Sequence, residues 1–182
     1  MNNPWTTHSS EQKYENPWIK VVENKVTDPG GNAGIYGVVH FANRAIGVIP
    51  IDDEDHTWLV GQYRYPLDTY EWEIIEGGAP EGEDPEEAAR RELLEEAGII
   101  ATDYRLIIEE MQLSNSVCDE RSWVFVARVV SVGESDPDSN EELALRRVPL
   151  ETAFQMVANG EIRDSMSIAG LSRLQVERLG GV

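Results

Sequence analysis

One helix with well-marked ends stands between two groups of β-forming runs, and this order limits the folds open to the chain. Asp84 is placed to cap the helix and Pro85 fits its first position. Glu87 follows three residues after the cap, and Gly98 marks the stop. Upstream, WIKVVENKV from Trp18, GIYGVVHF from Gly34, RAIGVIPI from Arg44, TWLVGQY from Thr57 and YEWEII from Tyr70 alternate or are β-branched, and they predict strands. The turn-forming TDPGGNAG and other short loops separate them, so some of the pairing is expected to be antiparallel. Downstream, YRLIIEEM from Tyr104 and SWVFVARVV from Ser122 predict two more strands, and ELALRRVPL starts as another. One closing helix is predicted over about 151–159 and another from Asp164 to just before Gly180. Strands, a helix, strands, then terminal helices imply an α/β chain with a mixed sheet covered by helices.

A length of 182 residues fits one domain with a core that needs no disulfide or structural metal. The polar stretch 1–15 reads as a flexible N-terminal arm, and 16–182 as a single domain. A formal charge of -19 argues against a nucleic-acid partner and against a polybasic membrane surface, since both demand surplus Lys and Arg. The 41% hydrophobic fraction is too high for a disordered chain. The lone Cys118 forms no internal disulfide, and no Cys/His cluster suggests zinc. No basic, apolar leader opens the sequence and no apolar run reaches membrane-spanning length, so the expected location is the cytoplasm.

Within the central helix, Glu92, Glu95 and Glu96 fall inside an arc of about 100°. Taken alone, these glutamates read as a solvated acidic face, with Arg91 placed i,i+4 to Glu95 to offset their repulsion. The wider spacing alters that reading. Gly77, five residues, Glu83, seven residues, then Arg91-Glu92-Leu93-x-Glu95-Glu96-x-Gly98-Ile99 resembles the Nudix box, GX5EX7REUXEEXGU with U aliphatic, at every defined position. The resemblance implies a Nudix α/β/α sandwich with a mixed β-sheet and an N-terminal antiparallel strand region. It also implies an enzyme that hydrolyses a diphosphate linkage with Mg²⁺, or Mn²⁺, held by oxygen ligands. By resemblance, Glu92 and Glu96 are the principal metal ligands and Glu95 a ligand or near neighbour, and the backbone carbonyl of Glu76 joins them. Glu83 and Arg91 look like an orienting ion pair.

The flanks narrow the reaction. GQYRYPLDTYEWEIIEGG before the box and RRVPLETAFQMVANGEIRDSMSIAGLSRLQ near the C-terminus resemble the ADP-ribose and nucleoside-diphosphate-sugar pyrophosphatases. Arg64 stands where that branch has a diphosphate-contacting arginine. Its alternative is a surface side chain stacked on Tyr63 or Tyr65. Glu73-Ile74-Ile75-Glu76-Gly77 lacks the proline and alanine usual before the box in ADP-ribose enzymes, and LSNSVCDERSW departs from their usual loop. A broader range of substrates follows, with ADP-ribose and GDP-mannose as examples, cleaved to a nucleoside monophosphate and a sugar phosphate. The alternatives are a Nudix hydrolase of modified nucleoside triphosphates and a non-catalytic ADP-ribose-binding sensor.

A general base outside the box is implied, and it should be a carboxylate able to reach an activated water. Glu141, Glu120 and Glu142 are the candidates, with a box glutamate as the alternative. Trp58, Trp72 and Trp123 sit in predicted strands and read as core. Trp18 and Tyr14 are candidates for stacking on a nucleobase. The branch forms homodimers through N-terminal strands, so a homodimer is expected.

Overall fold

A computed structural model describes residues 1–135 and 143–180. The strands are β1 (Thr6–Glu15), β2 (Ile19–Thr27), β3 (Ala33–Phe41), β4 (Asn43–Ile51), β5 (His56–Arg64), β6 (Thr69–Glu73) and β7 (Ile75–Pro80). Then come α1 (Pro85–Ala97), β8 (Ile99–Gln112), β9 (Arg121–Val132), β10 (Ala144–Pro149), α2 (Leu150–Ala158) and α3 (Ser165–Arg178). The first three strands form an antiparallel sheet. The others form a seven-stranded sheet in the order β10-β5-β4-β9-β8, with β6 added to β5 and β7 to β4. The sheet is mixed because β4 and β9 run parallel while its other pairs are antiparallel.

Side chains alternate across this sheet with the two-residue strand period. Ile46 and Val48 of β4, Trp58 and Val60 of β5, and Trp123, Phe125 and Ala127 of β9 pack on the α1 side. Ile49, Leu59 and Val124 point the other way, onto Leu150 and Phe154 of α2 and Met166, Leu171 and Leu174 of α3. The result is helix, sheet, helix, with a core on each face of the sheet. Both Trp58 and Trp123 are buried, as expected, and Trp72 is partly buried against the second core.

The predicted ends of α1 are both present. One Asp84 carboxylate oxygen accepts from the Glu86 and Glu87 amides at 2.9 and 3.4 Å. Gly98 has a left-handed φ of 63°, and a β-carbon there would lie 2.6 Å from the Glu134 carbonyl oxygen. The chain can therefore turn directly from α1 into β8. Ala88, Ala89, Leu93 and Ala97 are essentially buried along the face on the sheet. Burying a leucine is worth about 1.5–3 kcal/mol, against about 0.2–0.5 kcal/mol for an i,i+4 repulsion such as Glu92–Glu96. Packing of the apolar face decides where the helix sits, and the glutamates are carried with it.

Two segments differ from the sequence expectation. Most of the 1–15 arm is a strand: β1 pairs with β2 from Thr6↔Thr27 to Glu15↔Lys20. All ten of its residues are exposed, so no apolar alternation announces it. Backbone pairing is supplemented by polar cross-strand contacts, His8 to Thr27 at 2.8 Å and Ser10 to Asn24 at 2.6 Å. The run YEWEII is interrupted at Ile74: β6 pairs with β5, and β7 crosses to β4. Two glycines and a proline make up half of β7, which hides it from propensity. No helix among the described residues is long and apolar enough to cross a membrane.

Candidate active site

The fold brings α1 against β7 through two glycines. A β-carbon at Gly77 would fall 1.9 Å from the carboxyl carbon of Glu92, so only glycine leaves room for that side chain. The Gly78 amide donates to Glu92 Oε1 at 3.1 Å, and Arg91 Nη1 donates to the same oxygen at 2.8 Å. Burial pushes the Glu92 carboxyl above its ordinary value, with Arg91 opposing the shift. Arg91 also donates to both Glu83 oxygens at 3.3 and 3.0 Å, to the Gly78 carbonyl at 2.9 Å and to Glu95 at 3.2 Å. It ties the start of the glycine segment, the loop before α1 and the helix into one unit. Glu96, one turn after Glu92, is 4% exposed.

These residues line a cavity of about 690 Å³ together with Trp18, Asn43, Arg64, Glu76, Glu120 and Met166. Glu73, 1% exposed, holds Arg64 in the cavity wall through Nε–H bonds of 2.9 and 3.2 Å and a further bond from Nη2. Burial raises the Glu73 carboxyl, and Arg64 works against that rise. Arg64 is thus fixed by a buried carboxylate, and among the described residues its guanidinium stacks on neither Tyr63 nor Tyr65.

Glu76 sends its side chain to α3, where Oε1 accepts from Ser167 Oγ at 2.9 Å. Ser167 Oγ in turn accepts from the Ile74 amide at 3.0 Å. Burial, then Asp164, pushes the Glu76 carboxyl well above the ordinary range. Glu120 lies just before β9, and its carboxyl is raised by burial, with Asp119 and Asp164 adding to the effect. Among the described residues, Glu73, Glu76 and Asp164 gather carboxylate oxygens within 4.8 Å of one another, as do Asp52 and Glu54 with the His56 ring. Glu92 and Glu95 instead spend oxygens on Arg91.

The loop that carries Glu120 is pinned to the first sheet. Val39 exchanges backbone bonds with Val117 and Asp119 at 2.9 and 3.3 Å, and His40 meets Asp119 at 2.6 Å.

The NUDIX domain profile matches residues 42–167, and the nucleoside diphosphate sugar hydrolase N-terminal domain profile matches 5–39. The chain belongs to the Nudix family. It is a Nudix hydrolase, and the segment Gly77–Ile99 is its Nudix box. It is 31% identical over 173 residues to an ADP-ribose pyrophosphatase of Bacillus subtilis, covering 94% of this chain and 92% of that one. The methanol dehydrogenase activator of Bacillus methanolicus is 30% identical over the same shares of the two chains. An ADP-ribose pyrophosphatase of Mycobacterium tuberculosis is 30% identical, covering 91% and 80%. In structure, an ADP compounds hydrolase superposes with a TM-score of 0.84 over 98% of this chain and 97% of its own, at 23% identity.

Of the residues expected from sequence, Glu76, Glu92, Glu95, Glu96, Arg64, Trp18 and Glu120 meet around this one cavity. Tyr14 does not line it; its hydroxyl accepts from Asn16 at 3.3 Å, on the exposed β1. Glu141 and Glu142 lie outside the described residues. Sequence reasoning did not reach Glu73, Asn43, Met166 or Ser167. A buried acid on a strand leaves no pattern of its own, and Asp164 was legible only as a helix start.

Gly77→Ala should lower turnover at least a hundredfold by displacing Glu92, while far-UV circular dichroism stays native. Wild-type turnover in that variant would show that the Glu92 position is not required.

Proposed function

We propose that this Nudix hydrolase cleaves the diphosphate bond of nucleoside diphosphate sugars, ADP-ribose and GDP-mannose among them, in an Mg²⁺-dependent reaction that Mn²⁺ also supports. The observation that carries this reading is the charge of the cavity. Glu76, Glu83, Glu92, Glu95, Glu96 and Glu120 face it, against Arg64 and Arg91. Even with Glu76 protonated, carboxylates outnumber guanidiniums, so a diphosphate would be repelled unless cations entered with it. The donors are all oxygens, which fits a hard divalent ion. Glu92 and Glu96 would hold it, with Glu95 and the Glu76 carbonyl nearby. When bound, the ion neutralises charge on the diphosphate and polarises a phosphoryl oxygen. The N-terminal profile and the relatives named ADP-ribose pyrophosphatase support the substrate class.

The chain's own residues then have distinct tasks. Arg64, held by Glu73, donates to the diphosphate and fixes its orientation. Glu120 accepts the proton of a water whose oxygen bonds to one phosphorus as the bridging P–O bond breaks. A nucleoside monophosphate and a sugar phosphate leave, and no covalent enzyme intermediate forms. Trp18, 67% exposed at the cavity rim, offers its indole face to the base. Glu141, the first choice from sequence, lies outside the described residues and is the alternative base.

A base must be deprotonated to act. With the Glu120 carboxyl raised by burial, turnover should climb as pH rises through that raised carboxylate range and then level off. Glu120→Gln should remove this limb and cost ~10²–10⁴-fold in turnover, with KM little changed. A pH profile of Glu120→Gln beside Glu141→Gln decides between them: loss confined to Glu141→Gln moves the base there, and loss in neither rejects a loop base.

The homodimer is also proposed. Both faces of β1 are exposed, and Trp18, Ile35 and Phe41 are exposed around the same sheet. A small sheet gains stability when a face is covered. Light scattering should give twice the 20.4 kDa chain mass at working concentrations, and a fully active monomer would reject the dimer.

A further inference from the structure

Beside the catalytic cavity lies a second one of about 430 Å³, and Arg64 lines both. Its wall is organised by β6. Glu71 and Glu73 are two residues apart on that strand and so point to one face. Both are buried, 5% and 1% exposed, and each holds an arginine side-on, through Nε and Nη2. Glu73 takes Nε and Nη2 of Arg64. Glu71 takes Nε of Arg163 at 3.1 Å and its Nη2, which also lies 3.3 Å from Thr69 Oγ1. Arg64 and Arg163 thus have the same mounting, and the Nη1 edge of each is not engaged by any described residue.

We propose that Arg163 binds the sugar half of the substrate, in the cavity that continues from Arg64. This deepens the nucleoside-diphosphate-sugar reading and rests on it. Charge and shape choose the ligand. Arg64 and Arg163 are outnumbered by Glu71, Glu73 and Asp164, so the cavity has no positive surplus to attract a further phosphate. Among the described residues no aromatic ring lines it, whereas Trp18 lines the catalytic cavity, so the base belongs with Trp18. What remains is a neutral, polyhydroxylated group. The Nη1 edge of Arg163 donates to a ring hydroxyl, the adjacent Asp164 carboxylate accepts from another, and Leu67 covers the apolar face of the ring. With Arg64 on the diphosphate, a sugar attached to the distal phosphate extends directly towards Arg163.

The test compares ADP-ribose with the methyl ester of ADP, in which a methyl group replaces the sugar on the terminal phosphate. Arg163→Met should reduce the ratio of kcat/KM for ADP-ribose over methyl-ADP by about tenfold to a hundredfold, the range for one charge-assisted hydrogen bond. Removing Arg163 alone leaves Glu71 buried and unpaired, which can unfold the chain. The double variant Glu71→Gln/Arg163→Met removes both charges and should show the same fall. A ratio within twofold of wild type in the double variant overturns the assignment. So does a loss that follows the base, in ADP-glucose against UDP-glucose, rather than the sugar. Failure of the wild type to release AMP from either compound overturns the functional reading and this assignment with it; wild-type turnover with an unchanged ratio overturns the assignment alone.

Discussion

The seating of the Glu92 carboxylate over the bare backbone of Gly77 is the contact on which the other features of the site depend. The carboxylate occupies the space that a β-carbon at position 77 would fill. The Gly78 amide then meets the carboxylate, and Arg91 spans from the glycine segment to Glu83 and Glu95. Because the helix is pressed down by Leu93 and its alanines, a turn of carboxylates is held against the glycines of β7, which offer only backbone. Such a position is unfavourable for anions without partners. Arg91 supplies one partner, and a divalent cation is the other kind the donor set suits.

The same arrangement recurs across the cavity. Glu73 and Glu71 are buried acids whose stability depends on the arginines they hold, Arg64 and Arg163. Each pair places a guanidinium at a cavity wall with its direction set from behind, so little ordering remains when an anion or hydroxyl arrives. Glu76 links this row to α3 through Ser167, which also accepts from the Ile74 amide. The break between β6 and β7 at Ile74 is therefore fastened to the helix on the far face of the sheet. Box strand, arginine wall and terminal helix share one polar network.

Much of this was legible in the sequence where a local rule acts strongly. Asp84, Pro85 and Gly98 marked α1 because caps are local chemistry, and the spacing from Gly77 to Ile99 named the box because several residue types recur at fixed intervals. The strands with apolar alternation, β4, β5 and β9, were equally readable. β1 was not, since a fully exposed polar strand is held by its neighbour's backbone and carries no period of its own. β7 was hidden by the glycines that its contact with Glu92 requires. Glu71 and Glu73 gave no signal, because the partners that permit their burial are 92 and 9 residues away in the chain. Trp18, a stacking candidate from its place in the sequence, lines the cavity, while Tyr14, in the same segment, is carried by β1 away from the cavity lining.

The cation requirement can be measured on the protein as it stands, using chelator-treated enzyme, ADP-ribose in ¹⁸O-labelled water, and Mg²⁺ added back in steps. This account predicts no turnover with chelator, saturable recovery as Mg²⁺ is restored, and label in one of the two phosphate products. Full turnover in excess chelator, or label in a sugar hydroxyl in place of phosphate, would contradict it.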